Sequence, residues 1–374
     1  MNKPQLTNIT IRGFKTLKNL EDFNPGPLTV FVGANGAGKS NFISFFRLLS
    51  WAIASSPGNL QRYVGEMGGS SSLLHDGPAI TRELEVALSL NTDKGRNDYA
   101  FRLVFAAKDT FIYANERFRF SREDQATAAS WIDLGAGHRE AQILERAGEG
   151  DKTARFILGS LQKIKVYQFH NTTSYARIRT RSSVEDGQWL REDGANLAPF
   201  LYRLREHEPA YYRRIVETLR LILPFFADFE LEPDYGTLLL RWRERGSDLV
   251  FDASQAADGM LRAMALVSLL LQPESDLPNV ILLDEPELGL HPYAINIIGG
   301  LIRSVTNWTQ VIAATQSVSL INCFLPEEIV VVDRVDRVSS FRRLSSDELA
   351  VWLETYTLSE LWEKNLFGGR PGWA

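Results

Sequence analysis

Between residues 33 and 40 the chain reads Gly33-Ala34-Asn35-Gly36-Ala37-Gly38-Lys39-Ser40, with glycine at the first and sixth positions and lysine then serine at the end. These residue types in this order suit phosphate chemistry. Glycines let backbone N–H groups curl around phosphate oxygens, a lysine neutralises the β- and γ-phosphates, and a serine hydroxyl can hold Mg²⁺. The loop needs a strand before it and a helix after it, so that the positive end of the helix dipole faces the anion. The apolar run 28–32 and the helical pattern from Asn41 supply both. A nucleoside triphosphate site is therefore expected over Gly33 to Ser40 and Asn41.

A second group of chemical residues follows another apolar run. After Val280-Ile281-Leu282-Leu283 come two adjacent carboxylates, Asp284 and Glu285, and then Pro286 and Glu287. A buried strand ending in such a pair is what metal-assisted phosphoryl transfer needs: Asp284 can hold Mg²⁺ through water while Glu285 orients and polarises the attacking water. The competing reading makes the pair a cap for the next helix.

The elements that must position these groups alternate strand and helix, which predicts an α/β fold. Leu6 to Ile11 alternates and breaks at Gly13. Residues 65–72 have the Gly/Ser composition of a flexible loop. Period-2 runs at 84–90, 99–105 and 111–113 predict an inserted antiparallel β-subdomain. Residues 121–150, polar and rich in Gly and Ala, are expected to form a mobile loop. A strand at 164–169 leads to a helical lid or arm at 196–223 and short strands over 229–251. Asp258 is a candidate N-cap for a helix running to Leu271, a helix is expected at 292–305 and a strand at 310–314. Docking helices carrying Trp352 and Trp362 and a frayed tail at 368–372 close the chain. The expected division is 1–62 and 253–345 for the two halves of the core, 63–162 for the β-subdomain, 163–252 for the strand, arm and short strands, and 346–374 for the C-terminal segment.

Composition narrows the class. The 374 residues are 44% hydrophobic, enough for a substantial core, with a formal net charge of −5 that opposes a globally basic nucleic-acid binder. One cysteine, Cys323, excludes an intrachain disulfide framework, and five scattered histidines give no zinc-ligand spacing. No apolar stretch reaches the eighteen or so residues that span a bilayer, and no secretory leader follows Met1, so a cytoplasmic protein without membrane partners is expected.

Gly33 to Ser40, Asp258-Gly259 before a helix, Asp284-Glu285-Pro286-Glu287-Leu288-Gly289-Leu290-His291-Pro292 and Thr315-Gln316-Ser317, in this order, resemble an ABC-type ATPase head. More narrowly the chain resembles the SMC/RecF-like group, to whose N-terminal strand Ile11 to Leu17 is similar, and the stand-alone ATPases related to the OLD family of bacterial anti-phage defence operons. The resemblance implies ATP and Mg²⁺ as cofactors and a homodimer of heads, in which Asp258-Gly259 of one subunit faces the γ-phosphate held by the other. It implies catalytic roles for Glu285, Lys39 and the switch residue Gln316, and metal contacts from Ser40, Asp284 and the Q-loop residue Gln168. A solvated strand end is the equal alternative for Gln168, and His170 receives no catalytic role.

Two departures from the family pattern predict slow turnover. Ala257 stands where a serine hydroxyl is usual, and Gln316 stands where a histidine is common, so its amide can donate but cannot take a proton. The stretch after Ser317 is too short for a TOPRIM nuclease domain, which implies a separate effector, possibly nuclease-like. A RecF-like clamp on DNA is the alternative, supported by Arg177, Arg179 and Arg181 in alternation and by Arg203, Arg205, Arg213 and Arg214; nearby glutamates favour a solvated, paired face instead. A transporter subunit is opposed by the long β-insert and by the N-terminal strand. The two tryptophans are read as core packing ahead of a partner site.

Overall fold

The computed structural model describes residues 3–56, 58–124 and 129–369. In chain order, β1 (Gln5–Phe14) and β2 (Leu17–Phe23) form a hairpin, and β3 (Leu28–Val32), buried throughout, runs into the glycine loop from which α1 (Lys39–Ala52) emerges. Next come α2 (Asn59–Glu66), the single turn α3 (Ser70–Leu73), the meander β4 (Glu83–Thr92), β5 (Gly95–Ala106) and β6 (Thr110–Arg122), and then β7 (Ile132–Asp133), α4 (Ile143–Gly148) and α5 (Lys152–Leu161). The chain re-enters the centre through β8 (Ile164–Tyr167). It then forms β9 (Ser182–Ser183), α6 (Leu197–His207), α7 (Pro209–Ile222), β10 (Phe226–Phe229), β11 (Thr237–Leu238), β12 (Arg241–Glu244) and β13 (Val250–Asp252). The last third holds α8 (Asp258–Leu270), β14 (Val280–Asp284), α9 (Pro292–Val305), β15 (Gln310–Thr315) and α10 (Val318–Ile321), followed by β16 (Ile329–Val335), β17 (Val338–Arg343), α11 (Ser346–Leu353) and α12 (Leu358–Glu363).

The central sheet has the order β17-β16-β3-β15-β14-β8, parallel except for the edge hairpin β16–β17. Successive side chains of a strand point to opposite faces, and here the two faces carry different cores. Val30, Val32, Ile281, Leu283, Val311 and Ala313 pack with α6 to α9, whereas Phe31, Val280, Leu282, Ile312 and Ala314 pack with α1 and the antiparallel sheet. Burial on both faces is why these strands read as continuous apolar runs. Five phenylalanines lock the second core: Phe42 lies 4.8 Å from Phe31, 5.4 Å from Phe46, 5.8 Å from Phe23 and 6.0 Å from Phe341, centroid to centroid.

Several local expectations are corrected. The antiparallel meander is present, but it shares one sheet with the N-terminal hairpin, ordered β2-β1-β4-β5-β6-β7. The Gly/Ser stretch at 65–72 is largely helical and held by Asp109, which accepts from Ser70 Oγ at 2.9 Å, Ser71 N at 2.7 Å and Ser71 Oγ at 2.6 Å. In the region 121–150, where a mobile loop is expected, residues 129–150 carry β7 and α4, because buried Glu116 accepts Gln142 N at 2.7 Å and Ile143 N at 3.1 Å; residues 125–128 lie outside the described part. The helical segment expected at 196–223 is present as α6 and α7, whose Phe200, Leu201, Leu204, Ile215, Val216 and Leu219 are buried in the first core. Of the expected frayed tail, Gly369 N donates to Asp333 Oδ1 at 2.8 Å, and residues 370–372 lie outside the described part. Trp362 is buried and Trp352 is 45% exposed.

Candidate functional site

Register brings the chemical residues to one edge. Val32 at the end of β3 pairs with Thr315 at the end of β15, Asp284 at the end of β14 pairs with Ala314, and Tyr167 at the end of β8 pairs with Leu283. The residues that follow, Gly33, Gln316, Glu285 and Gln168, therefore emerge side by side at the carboxyl ends of parallel strands, the place where open α/β sheets bind ligands.

The glycine loop is shaped by close approach. Gly36 and Gly38 have φ of +78° and +119°, a region L side chains rarely adopt, and a Cβ on Gly38 would overlap the Ser339 and Thr16 hydroxyls. Ser339 Oγ donates to Ala37 O at 2.5 Å, Arg334 Nη1 to Gly36 O at 3.2 Å, and Asn41 Nδ2 to Thr16 Oγ1 at 2.8 Å. No side chain caps α1 and its first turn holds no acidic residue; apart from the Ala37 N–H, which donates to Ala34 O at 3.1 Å, this favours an anion at the loop. Lys39 Nζ lies folded onto the loop, donating to Gly33 O at 2.6 Å and Ala34 O at 3.0 Å. Burial lowers its pKa, opposed by the charges of Glu285, Asp284 and Glu287. A loop that admits no Cβ at Gly33 or Gly38, closed by a buried amine, fits a triphosphate.

Beside it, Ser40 Oγ donates to Asp284 Oδ1 at 3.2 Å. Burial pushes the Asp284 carboxyl above its ordinary range, against the pull of His170 and Ser40. A divalent cation would relieve that desolvation. Among the described residues no three or more His, Cys, Asp or Glu side chains converge on a metal position, so Ser40 and Asp284 are the pair that fits Mg²⁺, with phosphate and water as the remaining oxygens.

Gln168 reaches the same place in an unexpected orientation. Its Oε1 accepts from Arg47, while its Nε2 donates to Asp284 Oδ2 at 3.3 Å and lies 3.0 Å from His170 Nδ1. Arginine only donates and an ionised carboxylate only accepts, which fixes the amide this way round. The oxygen a cation would need is therefore turned to Arg47, and metal ligation would require the amide to turn over. His170 is a brace: Nδ1 faces the Gln168 amide and Nε2 donates to Asp284 O at 2.8 Å.

Glu285 has φ +43°, and its N–H donates to Ala314 O at 2.8 Å. That conformation costs on the order of 1–3 kcal/mol for a non-glycine residue, and it aims the carboxylate at the switch. There Gln316 Nε2 donates to Glu285 Oε1 at 2.5 Å. Glu287, to which the sequence assigned no role, joins them by accepting Thr315 Oγ1 at 2.5 Å and Gln316 N at 3.3 Å. Its place after Asp284-Glu285-Pro286 is the available signal, but a glutamate in a turn reads equally well as solvated.

The signature residues stand apart. Asp258 is the first residue of α8 rather than its cap; the cap position is Ala257, and Asp258 Oδ1 accepts from Arg179 Nη2 at 2.9 Å. Gly259 packs so tightly on Gly289 that a Cβ would overlap Gly289 O. No hydrogen bond among the described residues joins Asp258 or Gly259 to residues 33–41. Arg262, one turn on, ties α8 to the strand ends, donating to Phe169 O at 3.2 Å, His170 O at 3.0 Å, Thr172 Oγ1 at 3.3 Å and Leu288 O at 3.1 Å.

Five of the seven arginines named for a basic strip are paired within the fold, while Arg213 and Arg214 are exposed on α7. Arg177 to Arg179 form a 3-10 turn, which breaks the alternation. Arg179, its side chain 8% exposed, donates to Thr172 O at 2.8 Å, Ala256 O at 3.1 Å and Ala253 O besides Asp258. Arg177 pairs with Asp193, Arg181 with Asp234, Arg203 with Asp276, and Arg205 with Glu206 and Glu232.

Comparison with known proteins agrees with this architecture. An Smc head bound to the C-winged helix domain of ScpA superposes with a TM-score of 0.63 at 17% identity, over 93% of this chain and 100% of that one. An Smc head with an extended coiled coil, bound to the C-terminal domain of ScpA and derived from Pyrococcus furiosus, gives 0.56 at 15%, over 94% and 99%. An Smc head with a coiled coil and joint from Pyrococcus yayanosii gives 0.55 at 14%, also over 94% and 99%. At these identities the likeness shows the fold: an ABC-type P-loop ATPase head. No curated protein matches the chain. Among the described residues no helix is long and apolar enough to cross a membrane. The family model described as "AAA domain, putative AbiEii toxin, Type IV TA system" matches residues 28–322, well over half of the chain, and the chain belongs to that family of P-loop ATPase domains.

Proposed function

We propose that this chain binds ATP with Mg²⁺, closes into a homodimer around it, hydrolyses it slowly, and thereby holds or releases a separate effector, nuclease-like in kind, in defence against phage. The observation that carries the reading is the row at the carboxyl edge: a phosphate cradle with a buried lysine, the Ser40–Asp284 pair, and Glu285 held by Gln316. Bound Mg²⁺ would supply charge neutralisation for the transferring phosphoryl group. Lys39 would exchange its loop carbonyls for phosphate oxygens, and Glu285 would accept a hydrogen bond from the attacking water and orient it. Gln316 has no titratable proton, and Ala257 offers no hydroxyl at the N-terminus of α8, two reasons to expect a low rate. The position of Asp258 and Gly259 away from the cradle suits a site completed by a second subunit.

The family's description, which includes a type IV toxin–antitoxin system, supports a place among conflict systems. The two Smc heads bound to ScpA domains support a head that carries a partner protein. A RecF-like clamp on DNA loses its main support, because Arg179 is buried and Arg177, Arg181, Arg203 and Arg205 are each paired with a carboxylate.

The test is ATP hydrolysis per subunit as protein concentration is raised, with Glu285→Gln as the background. A specific rate that climbs with concentration is expected for a site composed across a weak dimer. A rapid rate independent of concentration would refute both slow turnover and the composite site, and absence of ATP binding would refute the whole reading.

A further inference from the structure

One buried acid in this edge is left without a task by the reading above. Glu287 is 9% exposed, and its Oε2 is shut away from solvent with no hydrogen-bond partner. Its Oε1 takes two donors, Thr315 Oγ1 and Gln316 N, and the same threonine hydroxyl receives Ser317 N at 2.9 Å. The turn after β15 is thereby knotted to the turn after β14. Gln316 is gripped at both ends, its backbone N–H by Glu287 and its side-chain amide by Glu285.

We propose that Glu287 is a positioning residue of the hydrolytic site, a buried strut that fixes Thr315-Gln316-Ser317 to the Asp284-Glu285-Pro286 turn and so holds the Gln316 amide against the Glu285 carboxylate. The inference rests on the reading of this site as one that hydrolyses ATP. An oxygen denied both water and donors leaves the charged carboxylate poorly solvated in a low-dielectric interior. Burial pushes the Glu287 carboxyl above its usual range and the charge of Glu285 adds to this, while Thr315 and the Gln316 amide pull the other way. Lys39 is the cation that senses Glu287, and it is shared with Glu285 and Asp284.

The isostere makes this testable, because glutamine keeps the acceptor oxygen and the length of the side chain while alanine removes the strut. Wild type, Glu287→Gln and Glu287→Ala are compared in ATP turnover, in binding of a fluorescent ATP analogue, and in amide hydrogen exchange across residues 315–317. Expected is a Glu287→Gln protein within about threefold of wild-type kcat. Glu287→Ala should lose kcat by about 10–100-fold, the cost of a misplaced orienting group, with nucleotide affinity kept and faster exchange at Gln316 only in this variant. Three results would overturn the proposal: a glutamine variant as impaired as alanine, an alanine variant with unchanged kcat, or a loss of kcat that follows loss of affinity and of folding together. If wild type binds nucleotide but needs a partner to turn over, exchange decides, and unchanged protection at Gln316 in Glu287→Ala sinks the strut. If wild type binds no nucleotide, the ATPase reading fails instead, and the exchange comparison still judges the strut.

Discussion

Replacing Arg179 by alanine should destabilise the protein by about 3 kcal/mol, a loss out of proportion to one surface arginine. The guanidinium reaches four groups on three segments: Thr172 O, Ala253 O, Ala256 O and Asp258 Oδ1. Of these, the ion pair contributes least. The Asp258 side chain is 57% exposed, and a pair open to water is worth about 0–1 kcal/mol. The carbonyls matter more, because a hydrogen bond from a charged donor contributes about 1.5–3 kcal/mol and a buried acceptor left bare costs about 1–3 kcal/mol. Three such bonds are not additive, and water would reach part of the vacated space, which brings the net to about 3 kcal/mol. Arg181 provides the internal control. It is 47% exposed and paired with Asp234 at 2.9 Å, so Arg181→Ala should cost about 0.5 kcal/mol. Urea denaturation of both variants gives the comparison through the midpoints at unchanged m. Equal losses below about 1 kcal/mol would refute the structural role argued for Arg179. If Arg179→Ala instead kept its stability and lost salt-sensitive DNA binding, the basic-strip reading would return.

Two more outcomes follow from the second core. Phe42→Ala should cost about 3–5 kcal/mol, read by the same denaturation curves, because the ring is fully buried and touches Phe23, Phe31, Phe46 and Phe341; a loss under about 1 kcal/mol would mean the cluster collapses without strain. Asp98 should shape the acid limb of stability: burial pushes its carboxyl up, but Ser89, Arg119 and Arg96 together hold it below the usual range. Its contribution is therefore complete above about pH 4, the ordinary aspartate pKa, and disappears as pH falls through the lower folded value. Asp98→Asn should flatten that fall in a pH series of thermal midpoints, and an unchanged acid limb would exclude Asp98 as its source.

What could be read from the sequence follows a physical divide. Leu28 to Val32, Val280 to Asp284 and Gln310 to Thr315 are buried on both faces, so continuous apolar runs identify them, and register then forces their successors Gly33, Glu285 and Gln316 into one row. Local chemistry sufficed there. It failed where one distant side chain decides local structure. The Gly/Ser run at 65–72 has a loop's composition, and only Asp109, far along the chain, supplies the acceptors that hold Ser70 and Ser71. Residues 129–150 owe their order to Glu116 in the same way, since a buried carboxylate capping α4 from another strand leaves no mark in the sequence of α4 itself. Alternation at Arg177, Arg179 and Arg181 predicts a strand only if each residue's neighbours are equivalent, and the carbonyls of Ala253 and Ala256 break that equivalence by drawing Arg179 inward. The orientation of Gln168 belongs to this class too. Strand position placed it beside Asp284, but whether its oxygen or its nitrogen faces the carboxylate is set by Arg47, on the opposite side of the amide. A polar side chain at a functional edge is thus located by its own strand and oriented by its partners, and the second half of that statement needs the fold.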